Sequence, residues 1–215
     1  IGACLVPDSA SFSSSTLMKF LPTLVLVLSS LCAFNLPLAA EEKLEPIFNG
    51  KDLSGWKAPE KNVSWLVQDG ILQVRSAPDK TGYVLWTEKD YGDFVIELEF
   101  KFGAGTVDSG VHLRSEDQIQ IGISGSLKRD MTGSPSIPGK GYPIEAEGVK
   151  ELLKLKDWNH MRIEARGMEY ACWLNGKKVM TYTSDTGKPK GPIGIQLHGD
   201  RDMAIDYRNI KLGEL

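Results

Sequence analysis

The chain has 215 residues, of which 41% are hydrophobic and 25% charged, with a formal net charge of -3 at neutral pH. That length supports one substantial core with attachments. The mild acidity, with no basic tract or helical arginine stripe, argues against nucleic acid as a partner.

Residues 1–17 are serine-rich and lack periodicity or a hydrophobic face, so they read as a segment upstream of the true start or a fragment edge. From Met18 the stretch MKFLPTLVLVLSSLCAFNLPLAA presents a lysine, an apolar run from Phe20 to Leu28, and a small-residue end at Ala39 and Ala40. This is the order of a secretory signal peptide over residues 18–40. The apolar run is far shorter than the roughly 20 residues a spanning helix needs, and no transmembrane segment is expected once the leader is removed. Ser29, Ser30 and Leu31 do not supply the small residue a lipidated Cys32 wants immediately before it. Loss of the leader would leave Cys172 as the single cysteine, so a secreted or periplasmic product would depend on packing rather than disulfides. Residues 41–45 read as a linker, and 46–215 as one domain.

Beyond the linker, short alternating runs are punctuated about every ten residues by turn chemistry such as QDG and LNG. Eleven strands are expected: SWLVQDG, ILQVRS, YVLWTE, FVIELEFKF, SGVHLRS, QIQIGI, WNHMRIEARG, EYACWLNG, KVMTYT, IGIQLHG and MAIDYRNIKLGEL. Only AEGVKELLKLKDW has helical spacing, and it is brief. The pattern predicts an all-β sandwich of two antiparallel sheets with at most one or two short helices. In FVIELEF, strict alternation turns Phe94, Ile96, Leu98 and Phe100 inward, and Val95, Glu97, Glu99 and Lys101 outward. The same parity turns Val111, Leu113, Ile119, Ile121, Met161, Ile163, Ile195 and Leu197 inward.

The outward set carries the chemistry. In DSGVHLRSEDQIQIG it comprises His112, Arg114, Gln118 and Gln120, and GIQLHG adds Gln196 and His198. Amides and a guanidinium make paired hydrogen bonds to neighbouring hydroxyls, so a face of this kind suits carbohydrate. The long segment 124–156, rich in proline and glycine, would fold over that face and bring Lys128 and Tyr142 to it. Two other readings compete. Glu97 and Glu99, about 7 Å apart by strand rise, would suit a conventional two-carboxylate glycosidase. A lectin-like binding module would use the polar face without chemistry. His112, His160 and His198 lack close metal-ligand spacing; no cofactor or metal site is expected, although loop oxygens leave room for a divalent cation.

The motifs PIFNGKDLSGW, SWLVQDGIL, YGDFVIELEFKF, DSGVHLR, QIQI, DWNHMRIEARG, WLNGKKV, GPIGIQLHG and IDYRNIKL, taken in order, resemble the 3-keto-disaccharide hydrolase domain family over residues 46–213. The resemblance implies a concanavalin-like jelly roll, export, and cleavage of glycosides whose C3 hydroxyl is oxidised to a ketone. Asp108, Arg114, Gln120, Gln196 and His198 match the family pattern, whereas Gln118 stands where many members carry a glutamate. A C3 ketone acidifies the C2 hydrogen, so a base can remove it and the enolate can expel the C1 oxygen, after which water adds. On this reading His198 or His112 is the base and Arg114 stabilises the enolate. Asp108, Gln118, Gln120, Gln196, Lys128 and Tyr142 bind the sugar.

Overall fold

The computed structural model describes residues 43–215, so the expected leader and the segment before it lie outside the described residues. The eleven expected strands all form. They are β3 (Trp65–Gln68), β4 (Ile71–Arg75), β5 (Tyr83–Tyr91), β6 (Phe94–Gly105), β7 (Asp108–Leu113), β8 (Gln118–Gly122), β10 (Asn159–Arg166), β11 (Glu169–Leu174), β12 (Lys177–Thr183), β13 (Gly191–Leu197) and β14 (Met203–Glu214). Three two-residue strands join them: β1 (Glu45–Pro46), β2 (Trp56–Lys57) and β9 (Pro135–Ser136). The helical signal survives as one short turn, α1 (Val149–Leu152), with no side-chain cap at Gly148. The expected linker ends inside the fold, because Glu45 pairs with Leu212. No helix among the described residues is long and apolar enough to cross a membrane.

Two antiparallel sheets result. One is ordered β12-β11-β10-β6-β14-β4-β3 with β1 beside β14, and the other β2-β5-β13-β7-β8-β9. Asp69-Gly70 and Asn175-Gly176 close the β3–β4 and β11–β12 hairpins with positive φ at both central residues, matching the right-handed strand twist. Phe94, Ile96, Leu98 and Phe100 from the larger sheet meet Val111, Leu113, Ile119, Ile121 and Ile195 from the smaller one in a continuous core, all essentially inaccessible. Val95 is buried as well, although its position in the alternation turns it outward.

A polar link joins the two sheets through the core. Ser109 turns inward from β7 and donates its hydroxyl hydrogen to the Gln196 carbonyl, while the Tyr207 hydroxyl of β14 reaches Ser109 Oγ at 2.7 Å. Since the serine hydrogen is committed to the carbonyl, the tyrosine is the donor. Burial raises the Tyr207 phenol far above its ordinary pKa, so it keeps the proton this link needs.

Candidate functional site

Strand pairing alone gathers most of the expected polar residues. His112 lies opposite Gln118, and Gly110 opposite Gln120, across β7 and β8. On the other side of β7, Gly194 of β13 faces His112 and Ile195 faces Val111, which sets Gln196 beside Gly110. His198 extends this pairing by donating its backbone N–H to the Asp108 carbonyl. With side chains alternating, Asp108, His112, Gln118, Gln120, Gln196 and His198 share the outer face of the smaller sheet. Gly110 leaves the space in their midst: a Cβ there would stand 1.9 Å from the Gln118 amide nitrogen.

The amides form a directed chain. Gln118 Nε2 donates to Gln196 Oε1 at 2.9 Å and lies 3.5 Å from Gln120 Oε1, while Gln120 Nε2 donates to Asp108 Oδ1 at 2.9 Å. Gln120 therefore orients Asp108, and the Gln196 amide nitrogen is left without a protein partner among the described residues. Asp108 is almost wholly buried, yet its Oδ2 has no hydrogen-bond partner. That oxygen instead faces two cations or potential cations: Arg201 Nε at 3.5 Å and His198 Nε2 at 3.8 Å. His198 Nδ1 lies 2.6 Å from the Gly199 carbonyl. A carbonyl can only accept, so Nδ1 carries the hydrogen and Nε2 presents its lone pair.

These groups line a cavity of about 370 Å³ closed by Ser124, Gly125, Ser136 and Tyr142. The closing residues come from the long segment after β8, which is firmly anchored. Ser136 pairs with Gln118, Thr132 Oγ1 accepts from the Gly122 N–H at 2.8 Å, and Arg129 forms a paired salt bridge with Glu145. This wall explains why an outward-facing set is buried. Burial also pushes the Tyr142 phenol above its usual pKa, with the Asp108 carboxylate pushing the same way and Ser124 and Ser136 opposing, so Tyr142 remains a proton donor at neutral pH.

Several expected positions differ from this arrangement. Arg114 does not reach the face. It stands just past the end of β7 with φ of 63°, which breaks the alternation, and its side chain is fully buried at the far end of the strand. There its guanidinium donates to the Gly92 carbonyl at 3.1 Å, to Asp93 Oδ1 at 3.2 Å and to the Gly167 carbonyl, beside the rings of Phe94 and Tyr170. A side chain so committed cannot meet a ligand in the cavity. His112 is on the face but only 4% exposed, with the Trp86 ring 5.1 Å away and both ring nitrogens unpartnered. It does not line the cavity. Burial pushes its pKa below the usual histidine value, against the opposing pull of Glu116 and Asp117. Lys128 lines an adjoining pocket with Lys80 and Asp202 rather than the cavity itself.

Glu97 and Glu99 lie on β6 in the other sheet, opposite the core-facing Ile96 and Leu98. Glu97 bonds Arg162 at 3.0 Å and His160 at 3.3 Å, and Glu99 bonds Arg208. Glu97 and Glu99 therefore lie apart from the cavity, on the other sheet and engaged in ion pairs. Conversely, Arg201 was invisible as a site residue because it sits in the irregular HGDRDM segment after β13, where no periodicity assigns a direction. Among the described residues, no group of three or more His, Cys, Asp or Glu side chains is placed to hold a metal ion.

Solved structures share the fold. A candidate glycosyl hydrolase from Parabacteroides distasonis ATCC 8503 is 28% identical, covering 81% of this chain and 100% of its own, with a TM-score of 0.61. Another from the same organism is 20% identical over 80% of this chain and 94% of its own, with a TM-score of 0.60. The carbohydrate binding module CBM66 from Bacillus subtilis is 16% identical over 74% of this chain and 96% of its own, with a TM-score of 0.53. For these last two the likeness is one of fold. No curated protein matches the chain in sequence. Residues 43–213, which include both sheets and every cavity-lining residue named above, match one family throughout, the one to which the nine sequence motifs pointed. The chain belongs to the 3-keto-alpha-glucoside-1,2-lyase-like domain family.

Proposed function

We propose that the protein cleaves 3-keto-glycosides by elimination across C1 and C2 followed by hydration, with His198 as the base. The carrying observation is the fixed tautomer of His198: Nδ1 is tied to the Gly199 carbonyl, and Nε2 opens on the cavity beside Asp108 Oδ2 and Arg201. The C2–H bond breaks as its proton passes to Nε2. The Asp108 carboxylate lies 3.8 Å from the nitrogen that receives the proton. Charge moves onto the C3 oxygen, where Arg201 and protonated Tyr142 stand as donors in place of Arg114. The C1–O bond then breaks, the imidazolium returns its proton to the departing oxygen, and the Gln196 amide nitrogen positions that oxygen. Water adds its hydroxyl to C1 and its hydrogen to C2. No second carboxylate is required.

Membership of a 1,2-lyase-like family supports this reading, as does likeness to a candidate glycosyl hydrolase. An exported site of action rests on the leader read from Met18 to Ala40. The test is to follow cleavage of a 3-keto-glucoside carrying deuterium at C2. Slower cleavage than with hydrogen at C2, and loss of about 100-fold or more in rate in His198→Gln, are expected. Rapid cleavage with no isotope effect and full activity in His198→Gln would reject the mechanism. Sugar binding without release would make the protein a carbohydrate-binding domain.

A further inference from the structure

A second cavity, about 490 Å³, adjoins the first and shares only Gln196 and His198 with it. Its walls differ in character. Val84 and Trp86 project from β5 opposite Gln196 and Gly194. A Cβ at Gly194 would lie 2.5 Å from Val84 Cγ1 and 2.7 Å from Trp86 Cε3, so the missing side chain is what lets the indole lean over β13. The indole then rests against His112 at an interplanar angle of 47°. Beneath it, His112 is buried and unpartnered, and burial favours its neutral form. Trp86 is thus a half-buried aromatic plate held from below by a glycine and an uncharged ring.

Glu116 also lines this cavity. It is exposed and its carboxylate has no ion-pair or hydrogen-bond partner among the described residues, yet the turn that carries it is fixed from both sides. Arg114 is clamped as described above. Asp117 Oδ2 accepts from Tyr170 at 2.9 Å and from Ser184 at 2.6 Å, and Asp117 Oδ1 accepts from Thr186 at 2.7 Å. A free carboxylate on so rigid a turn, lining the same cavity as an aromatic plate, matches the two contacts a pyranose ring offers: an apolar C–H face and neighbouring hydroxyl donors.

We propose that this cavity is the leaving-group subsite and receives a second pyranose, with its apolar face on Trp86 and hydroxyls donated to Glu116. The assignment rests on the elimination reading above, and it makes geometric sense of the shared residues. If the keto ring fills the first cavity and the departing ring the second, the breaking C1–O bond lies over His198 and Gln196.

The experiment compares a 3-keto-disaccharide with methyl 3-keto-glucoside, whose leaving group is too small to reach Trp86. Trp86→Ala is expected to lower kcat/KM for the disaccharide about tenfold more than for the methyl glycoside, chiefly through KM. Glu116→Gln, at an exposed position that spares folding, should shift the same ratio about threefold. Gly194→Ala, which keeps the indole but displaces it, should act in the direction of Trp86→Ala. Equal losses on both substrates, or none, would overturn the subsite. If the native protein cleaves neither substrate, the elimination reading fails instead. Calorimetry with the unoxidised disaccharide and methyl glucoside then decides the subsite: selective weakening of disaccharide binding in Trp86→Ala and Glu116→Gln retains it, and unchanged binding rejects it.

Discussion

The two ends of strand β7 carry the same pair of residue types with opposite outcomes. At its C-terminal end, Arg114 and Asp117 are buried, and both Asp117 oxygens and all of the Arg114 guanidinium except Nε have partners. At its N-terminal end, Asp108 and Arg201 approach to 3.5 Å without a hydrogen bond, and Asp108 Oδ2 is left unpartnered beside an open cavity. A buried charge is costly unless hydrogen-bonded. Where the protein itself supplies the partners, the group is framework; where a cavity replaces them, the unmet capacity is available to a ligand. Sequence proximity placed Arg114 with the ligand-facing group, and hydrogen-bond satisfaction moves it to the framework.

Substituting the two arginines separates these roles. Arg201→Met is expected to cut turnover of a 3-keto-glucoside about 100- to 1,000-fold, as for loss of an oxyanion donor, with an unchanged midpoint of thermal unfolding. An equal loss of stability would assign Arg201 to the framework too. Arg114→Met should reverse the pattern, lowering stability by about 3 kcal/mol in chemical denaturation because it removes the fully buried guanidinium that ties Gly92, Asp93 and Gly167 together, while turnover per folded molecule holds. Reduced turnover in a fully folded Arg114→Met sample would contradict the division.

The buried His112 offers a milder test. Its pKa is depressed in the folded protein, so as pH falls below the ordinary histidine value of about 6.5 the unfolded chain takes up the proton first. Stability should be complete above that pH and decline as it falls towards the depressed folded value. The charged groups that act on the ring are Glu116 and Asp117, both of which pull the other way, and Trp86 and Gln118 beside it carry no charge. His112→Phe should flatten this part of the pH–stability curve, and an unaltered slope would place the titration elsewhere. The smallest effect is expected at Glu97→Gln. Its ion pairs are partly exposed and should contribute about 0–1 kcal/mol, with no change in turnover; a large loss of activity would revive the two-carboxylate chemistry.

Period-two alternation made all eleven main strands legible, and with them the outward set Gln118, Gln120, Gln196 and His198, but not the pairing of β13 with β7 that brings the two halves of that set together. The information ran out where alternation stopped. Arg114 adopts a left-handed backbone at the hairpin end, which no count of apolar and polar residues reveals. Arg201 comes from an irregular turn. The burial of Asp108 and His112 depends on a wall built from the segment after β8 and on Trp86, both tertiary effects. Asp117 looked like an ordinary turn residue, and its three hydroxyl donors come from residues 53 to 69 positions away.

The hydroxyl pair Tyr207–Ser109 gives the recognition surface a strut through the sandwich. The level of Gln196, which both cavities share, is fixed from the opposite sheet by a residue no sugar can touch. The cavities are therefore adjustable by remote means: shortening or removing that strut at position 207 would lower or loosen their shared wall while changing none of the side chains that line them.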